Sequence, residues 1–484
     1  MQRVSFACEA LRRRAVRRGV RAAQVTQPPR QRVCPYDRPA MPMDCTYRLR
    51  IPHQAGYLAQ VAQRISELDG LIGDVHTITI ARLEAIREIT VELRDREHAD
   101  QLAVALGELP GVRVVWYHDR AFIAHVGGKV EMRPCRVVTS NQEVRDVYTP
   151  GVARVSSAIH EYPQLAARFT MIGRSIAICT NGTRVLGLGD IGPVAAMPVM
   201  EGKAMFYAQL VDITAVPILI DTTDVDEFVD TVVRIAPGFG GIHLEDISTP
   251  SCFEIERRLI EALPQPVMHD DVHGTAVVTL AALIAACRQA GIRLDEAVVG
   301  QIGLGAAGFG IATLIHDAGV RRMLASDPSP VAQEHARGRG IEISDLQTLM
   351  RDCDVVVATS GRPGLITPEM VRPGQVIFAL TNPAPEIEPE AALAAGAAFA
   401  ADGTSVNNVL GYPGIFKGAL QAGASEINLE MKRAAAWALA GLTVSSELIP
   451  EVLDRKVHEA VAGAVRQAAI DSGVADLERL SAEP

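Results

Sequence analysis

Three groups of residues in this chain have the types and spacing to do chemistry together. The first is acidic: Glu245 and Asp246 close the apolar run Gly-Gly-Ile-His-Leu, and Asp270 and Asp271 follow His269 after Pro266-Val267-Met268. Carboxylates gathered at the ends of two short strands repel one another unless a cation lies between them, and hard oxygen donors suit Mg²⁺ or Mn²⁺ better than zinc. Surface acids are as commonly solvated, so spacing alone leaves both readings open. The second is a lysine. The chain has 42 Arg and only five Lys, so where charge alone serves it uses arginine. Lys203 lies in the apolar stretch between Pro198 and Tyr207, where desolvation and nearby cations are expected to lower its pKa toward that of a base. A plain surface lysine is the commoner alternative. The third is the glycine motif Gly303-Leu304-Gly305-Ala306-Ala307-Gly308, directly after an apolar run over 297–302. Its first Gly permits a tight turn, its second a close approach to a pyrophosphate and its third tight helix–strand packing. Asp327 lies 19 residues beyond Gly308. There a carboxylate would accept from an adenine-ribose diol and repel a 2′-phosphate, which favours NAD over NADP.

The elements that must position these groups follow from periodicity. Apolar runs over 297–302, 323–326, 354–359 and 376–380 alternate with helical stretches, predicting a Rossmann-type parallel sheet wound by helices. A helix is predicted from Thr275, and the stretch 434–480 reads as Ala-rich and helical. Near the N-terminus Tyr47, Leu49 and Ile51 alternate with Arg48 and Arg50, as in a half-buried strand. A helix through Tyr57, Val61 and Ile65, strands over 75–80 and 89–93, a helix over 99–109 and a strand over 112–116 complete the order βαββαβ, a ferredoxin-like unit.

Composition narrows the function classes. At 484 residues, with 48% hydrophobic and 21% charged residues, the chain reads as a multi-domain soluble protein. Ten Arg fall in the first 40 residues, and the remainder carries a net −18. An acidic body with 21 aromatics is a poor nucleic-acid binder. The longest apolar stretch, 275–287, is thirteen residues, too short to span a bilayer, so no membrane helix is expected. Eight scattered cysteines without a CxxC pair argue against a zinc ribbon or redox dithiol and suit a reducing cytoplasm.

Two resemblances sharpen the reading. The unit from Thr46 to about Val126, with Gly56 at its first strand-to-helix turn, resembles an ACT domain, a regulatory module of metabolic enzymes. The motifs Tyr148-Thr-Pro-Gly-Val-Ala153, Leu186-Gly-Leu-Gly-Asp-Ile-Gly192, Val199-Met-Glu-Gly-Lys203, Gly240-Gly-Ile-His-Leu-Glu-Asp-Ile247, His269-Asp-Asp-Val-His-Gly-Thr275, Thr381-Asn-Pro-Ala-Pro-Glu-Ile387 and Val406-Asn-Asn-Val-Leu-Gly-Tyr-Pro-Gly414 together resemble the malic enzymes, in family order. The architecture implied is α/β: a disordered Arg-rich tail over 1–44, an ACT-like domain over 45–127, a malic-enzyme catalytic domain over 128–274, an NAD-binding domain over 275–445 and C-terminal helices over 446–484.

The malic-enzyme resemblance implies roles one position at a time. Lys203 falls where the family has the base for the malate C2 hydroxyl, and Tyr148 where it has the acid that protonates C3. Glu245, Asp246 and Asp271 match divalent-metal ligands, and Asp270 an acid that tunes the lysine. Arg184 matches a residue gripping a substrate carboxylate in the larger eukaryotic members. Asn382 and Asn408 match asparagines that orient malate, with Asn382 also near the cofactor. The implied activity is NAD-dependent oxidation and decarboxylation of L-malate to pyruvate and CO₂, in a homodimer or homotetramer. An amino acid or other small effector would bind the ACT-like unit. Alternatives are a malolactic enzyme that retains NAD and yields lactate, and a catalytically inactive metabolite sensor on the same scaffold.

Overall fold

The computed structural model describes residues 42–443 and 447–476, so the expected tail over 1–44 lies outside the described residues except for its end. The chain divides into two compact units, Met1–Ile123 and Ala124–Pro484.

In the first unit the order is β1 (Met43–Pro52), α1 (Tyr57–Glu67), β2 (Leu71–Ile80), β3 (Glu84–Leu93), α2 (Arg96–Gly107) and β4 (Arg113–Asp119). The antiparallel sheet runs β2-β3-β1-β4, the ferredoxin-like arrangement expected from the sequence. Alternation does the work: Cys45, Tyr47, Leu49 and Ile51 point to one face and are buried with Val61 and Ile65 of α1 and Leu102 and Leu106 of α2. α2 starts at Arg96, before the expected 99, because the Asp95 side chain accepts from His98 N at 2.8 Å and caps it. β2 is an edge strand with all ten residues exposed.

A short helix over Arg120–His125 spans the boundary, and the second unit then carries α3 (Asn141–Val147) and α4 (Gly151–Glu161), neither of which buries a residue. A parallel sheet follows in the order β6-β5-β7-β8, from β5 (Ser175–Thr180), β6 (Thr214–Leu219), β7 (Gly241–Leu244) and β8 (Val267–His269). Its helices are α5 (Pro193–Val211), α6 (Val225–Ile235) and α7 (Ser251–Ala262). Every residue of β5 and β7 is buried, as expected of central strands covered on both faces.

β8 runs directly into α8 (Asp270–Ala290), which begins five residues before the expected Thr275. Its first turn carries Asp270 and Asp271, where free backbone N–H groups favour carboxylates, and Gly291 at φ 70° ends it. With 21 residues, α8 is long and apolar enough to cross a membrane, which the thirteen-residue run did not suggest. Yet 78% of its apolar window is buried inside the fold, as in the core helix of a globular protein.

The larger sheet contains β9 (Val298–Ile302), β10 (Arg322–Ser326), β11 (Glu342–Ile343), β12 (Val355–Ala358), β13 (Val376–Ala379) and β14 (Phe399–Asp402). All are parallel in the order β11-β10-β9-β12-β13-β14, with α9 (Ala306–Asp317) after β9. The order reverses between β9 and β12, the switch point where such sheets bind dinucleotides. Three last helices, α10 (Tyr412–Ala422), α11 (Leu429–Leu442) and α12 (Arg455–Asp471), fold back onto α5 and α8. The Asn428 side chain accepts from Met431 N at 3.1 Å and caps α11, so this helix starts ahead of the expected 434. A single core joins Met200, Leu283, Ile311, Phe378 and Phe416 across both sheets.

Candidate active site

The carboxyl ends of β7 and β8 bring together acids that the sequence separates by 25 residues. Glu245 and Asp246 follow β7, and Asp270 and Asp271 follow β8. Lys203 comes from the middle of α5 and is 8% exposed. Its ammonium forms an ion pair with Asp270, lies 3.0 Å from Glu245 Oε1 and sits 4.6 Å above the Tyr412 ring. Gly274, one turn along α8, makes this possible: a Cβ there would lie 1.8 Å from Asp270 Oδ1. Asn408 Nδ2 donates to Asp270 Oδ2 at 2.9 Å.

This geometry corrects one expectation. Lys203 has buried anions for neighbours instead of cations. Burial pushes its pKa down, but Asp270 and Glu245 outweigh burial and hold it well above the ordinary lysine value. The acids show the converse. Burial raises Asp270 to about 6 and Glu245 to about 8, each against the pull of Lys203. Burial together with the charges of Glu245 and Asp271 raises Asp246 to about 8.

Oxygen atoms of Glu245, Asp246 and Asp271 all lie within 4.8 Å of one another. Asp246 Oδ2 is buried with no hydrogen-bond partner among the described residues, and Asp246 holds a left-handed backbone at φ 55°. Its N–H donates to Asp271 Oδ2 at 2.9 Å. A buried carboxylate oxygen without a donor, facing two more acids, fits a hard divalent cation. Behind Glu245, Oε2 meets His243 Nε2 at 2.7 Å, and His243 Nδ1 meets Tyr207 OH at 2.9 Å. Neither His243 nor Tyr207 stood out in the sequence, although His243 lies inside the motif that contains Glu245 and Asp246.

The glycine loop borders the same space. A cleft of about 560 Å³ is lined by Lys203, Glu245, Asp246 and Asp271 on one side and by Gly305, Ala306, Ala307 and Gly308 on the other. Arg184 and Asn408 also line it, and Arg184 N donates to Asp246 O at 3.1 Å. Gly303 holds φ 88°, and a Cβ at Gly308 would stand 2.0 Å from Gly303 O, so both glycines are required sterically. A Cβ at Gly305 would meet no atom within 4 Å, which leaves the start of α9 open to an anion. A neighbouring cavity of about 860 Å³ is lined by Gly303, Asp327 and Ser360. Asp327 accepts from Leu304 N and Ser329 N, each at 2.7 Å, so this acid is tied to the loop. Loop and cavities fit a dinucleotide laid across the end of the sheet.

Two expected site residues lie elsewhere. Tyr148, at the end of α3, is 69% exposed, and it does not line the cleft in a single chain. Asn382 is exposed on the loop after β13 and does not line the cleft either.

An α/β domain whose glycine loop shares one cleft with a buried lysine and a cluster of acids points to an enzyme of the nicotinamide-dependent class. Comparison with known proteins makes the assignment narrower. Residues 127–260 match the malic enzyme N-terminal domain, and residues 272–330 the malic enzyme NAD-binding domain. The chain is 51% identical to NAD-dependent malic enzyme 1 of Bacillus subtilis, over 88% of this chain and 97% of that protein. It is 42% identical to the bifunctional malic/malolactic enzyme of the same organism, over 74% and 93% of the two chains. The crystal structure of an NAD-dependent malic enzyme from Thermotoga maritima superposes with a TM-score of 0.68 at 36% identity, covering 72% of this chain and 99% of that one. The chain belongs to the malic enzyme family.

Proposed function

We propose that this protein oxidises and decarboxylates L-malate to pyruvate and CO₂ with reduction of NAD, and that the cleft described above is where it does so. The observation that carries the reading is the meeting of Lys203, three carboxylates and the glycine loop around one space. Glu245, Asp246 and Asp271 would hold Mg²⁺ or Mn²⁺, and Gly303, Gly305, Ala306, Ala307, Gly308 and Asp327 would hold NAD. When bound, the cation would neutralise these acids and withdraw electrons from the malate C2 oxygen and carboxylate, while NAD would accept the C2 hydride.

With Glu245 and Asp271 neutralised, Lys203 would lose part of the field that keeps it protonated, Asp270 remaining as its partner, and could take the C2 hydroxyl proton. Asp270 and Asn408 would hold its amine on line, since both meet at Asp270 Oδ2. Arg184, at the cleft wall, would take a substrate carboxylate. Tyr148 would return a proton to C3, and Asn382 would contact substrate and cofactor once the domains close over them.

Tyr148 is too exposed for this within one chain. Val144, Val147, Val152 and Val155 are exposed beside it on α3 and α4, which bury nothing of their own. We infer that a second copy covers this apolar face, giving a homodimer or homotetramer, and that Tyr148 serves the cleft of its neighbour. The first unit reads as ACT-like, supported by its βαββαβ order, and would bind an amino acid or similar effector. The free thiols of Cys45, Cys179, Cys252, Cys287 and Cys353 support a cytoplasmic location.

Metal-stripped protein should form NADH and pyruvate from L-malate only when Mn²⁺ is returned. Lactate without free NADH would instead establish a malolactic reaction, which the bifunctional relative makes the nearest alternative. No conversion of malate under any of these conditions would leave the sensor reading.

A further inference from the structure

We propose that His243 and Tyr207 are positioning residues that fix the carboxylate of Glu245 for the divalent cation. The inference rests on the reading that Glu245 is a cation ligand. His243 is fully buried on β7, two residues before Glu245. Its Nε2 lies 2.7 Å from Glu245 Oε2, and its Nδ1 lies 2.9 Å from Tyr207 OH. Held to a cation, Glu245 would be ionised and would only accept, so the ring proton would belong on Nε2 and Nδ1 would be left to accept the Tyr207 hydroxyl. Tyr207 thereby sets the tautomer, and the tautomer sets the carboxylate.

The same helix controls both oxygens of Glu245. Lys203 and Tyr207 are four residues apart on α5 and so share a face. Lys203 reaches Oε1 directly at 3.0 Å, while Tyr207 reaches Oε2 through His243. The His243 ring cannot swing: it stacks on Phe416, with centroids 5.7 Å apart at 18°, and meets Tyr412 edge-on at 5.3 Å. Proximity of a histidine to an acid in this fold does not by itself produce such a bond. His269 stands two residues before Asp271 in the same way. Its Nδ1 is 3.8 Å from Asp271 Oδ2, and neither ring nitrogen has a hydrogen-bond partner among the described residues. A histidine thus ties down Glu245 from behind, whereas Asp271 is held by the Asp246 N–H instead.

Residues that orient a metal's ligands typically contribute 10- to 100-fold in affinity. Mn²⁺ binding to metal-stripped full-length protein, followed by electron paramagnetic resonance of the free ion, reads this without turnover. His243→Leu should weaken Mn²⁺ binding roughly 10- to 100-fold. Tyr207→Phe, which removes a single oxygen, should weaken it about threefold or more. His243→Gln, which returns an N–H near the Nε2 position, should recover most of the affinity. Binding within about twofold of wild type for Tyr207→Phe and His243→Leu, even with a lower Tm, would overturn the proposal, as would equal losses in His243→Gln and His243→Leu. If His243→Leu does not fold, Tyr207→Phe decides. Wild-type protein that binds Mn²⁺ but leaves malate untouched would defeat the proposed reaction, while the variant affinities would still decide this inference.

Discussion

Lys203 and Asp270, 67 residues apart in sequence, form a solvent-excluded ion pair, and the Asn408 amide converges on the same carboxylate oxygen. The pair anchors the amine at the point where β8 turns into α8. Replacing Lys203 with Ala should lower malate turnover by about 10²- to 10⁴-fold, the usual worth of a positioned base. NADH affinity, measured by fluorescence titration, should stay near wild type, because the glycine loop does not touch the amine. Turnover close to wild type would remove Lys203 from the chemistry.

Charge in the cleft should depend on pH in a definite direction. The carboxyls of Glu245 and Asp246 are raised to about 8, mainly by burial, above the roughly 4 of an unfolded chain. Between those values the folded protein binds more protons than the unfolded one, so these acids subtract stability as pH rises toward 8. A divalent cation needs them ionised, so its binding should release protons and its stabilisation should grow with pH. The Mn²⁺-induced rise in Tm should be larger at about pH 8.5 than at about pH 6. An equal rise at both, with no proton release by calorimetry, would contradict this.

Asp327 should decide the cofactor. Two unit charges about 4 Å apart interact by about 1 to 4 kcal/mol, depending on solvent exposure. Asp327→Asn removes the repulsion of a 2′-phosphate and keeps an oxygen for Leu304 N, so the glycine loop should hold. The ratio of kcat/KM for NADP to that for NAD should rise roughly fivefold or more. An unchanged ratio would show that another residue reads the ribose.

The inferred role of Tyr148 across two copies has a simple arithmetic. Tyr148→Phe and Lys203→Ala variants should each be nearly inactive alone. If each cleft takes its lysine from one copy and its tyrosine from the other, unfolding and refolding an equal mixture should regain about a quarter of wild-type activity, since half the dimers are mixed and each has one complete site. A mixture as inactive as its parts would place Tyr148 with its own chain.

Much of this was readable in the sequence, and what was not has physical causes. The glycine loop was legible because strand, turn, helix and acid are contiguous, and the paired acids because each pair ends an apolar run. The environment of Lys203 is not legible locally, because its partners lie 42 and 67 residues away and meet it only once α5 packs on β5 and β6 of the sheet that also holds β7 and β8. Tyr207 was invisible for the same reason, since its contact with His243 spans 36 residues. α8 starts ahead of the expected Thr275 because Gly274 leaves room for the Asp270 side chain within the helix. Tyr148 is legible as a motif residue, but its exposure at the end of α3 is not.

The most direct test is an anomalous difference map from crystals of this protein grown with Mn²⁺. A peak about 2.0 to 2.3 Å from carboxylate oxygens of Glu245, Asp246 and Asp271 at once, on the Lys203 side of the glycine loop, is the expected result. A peak held by other residues, or none at millimolar Mn²⁺, would contradict the account.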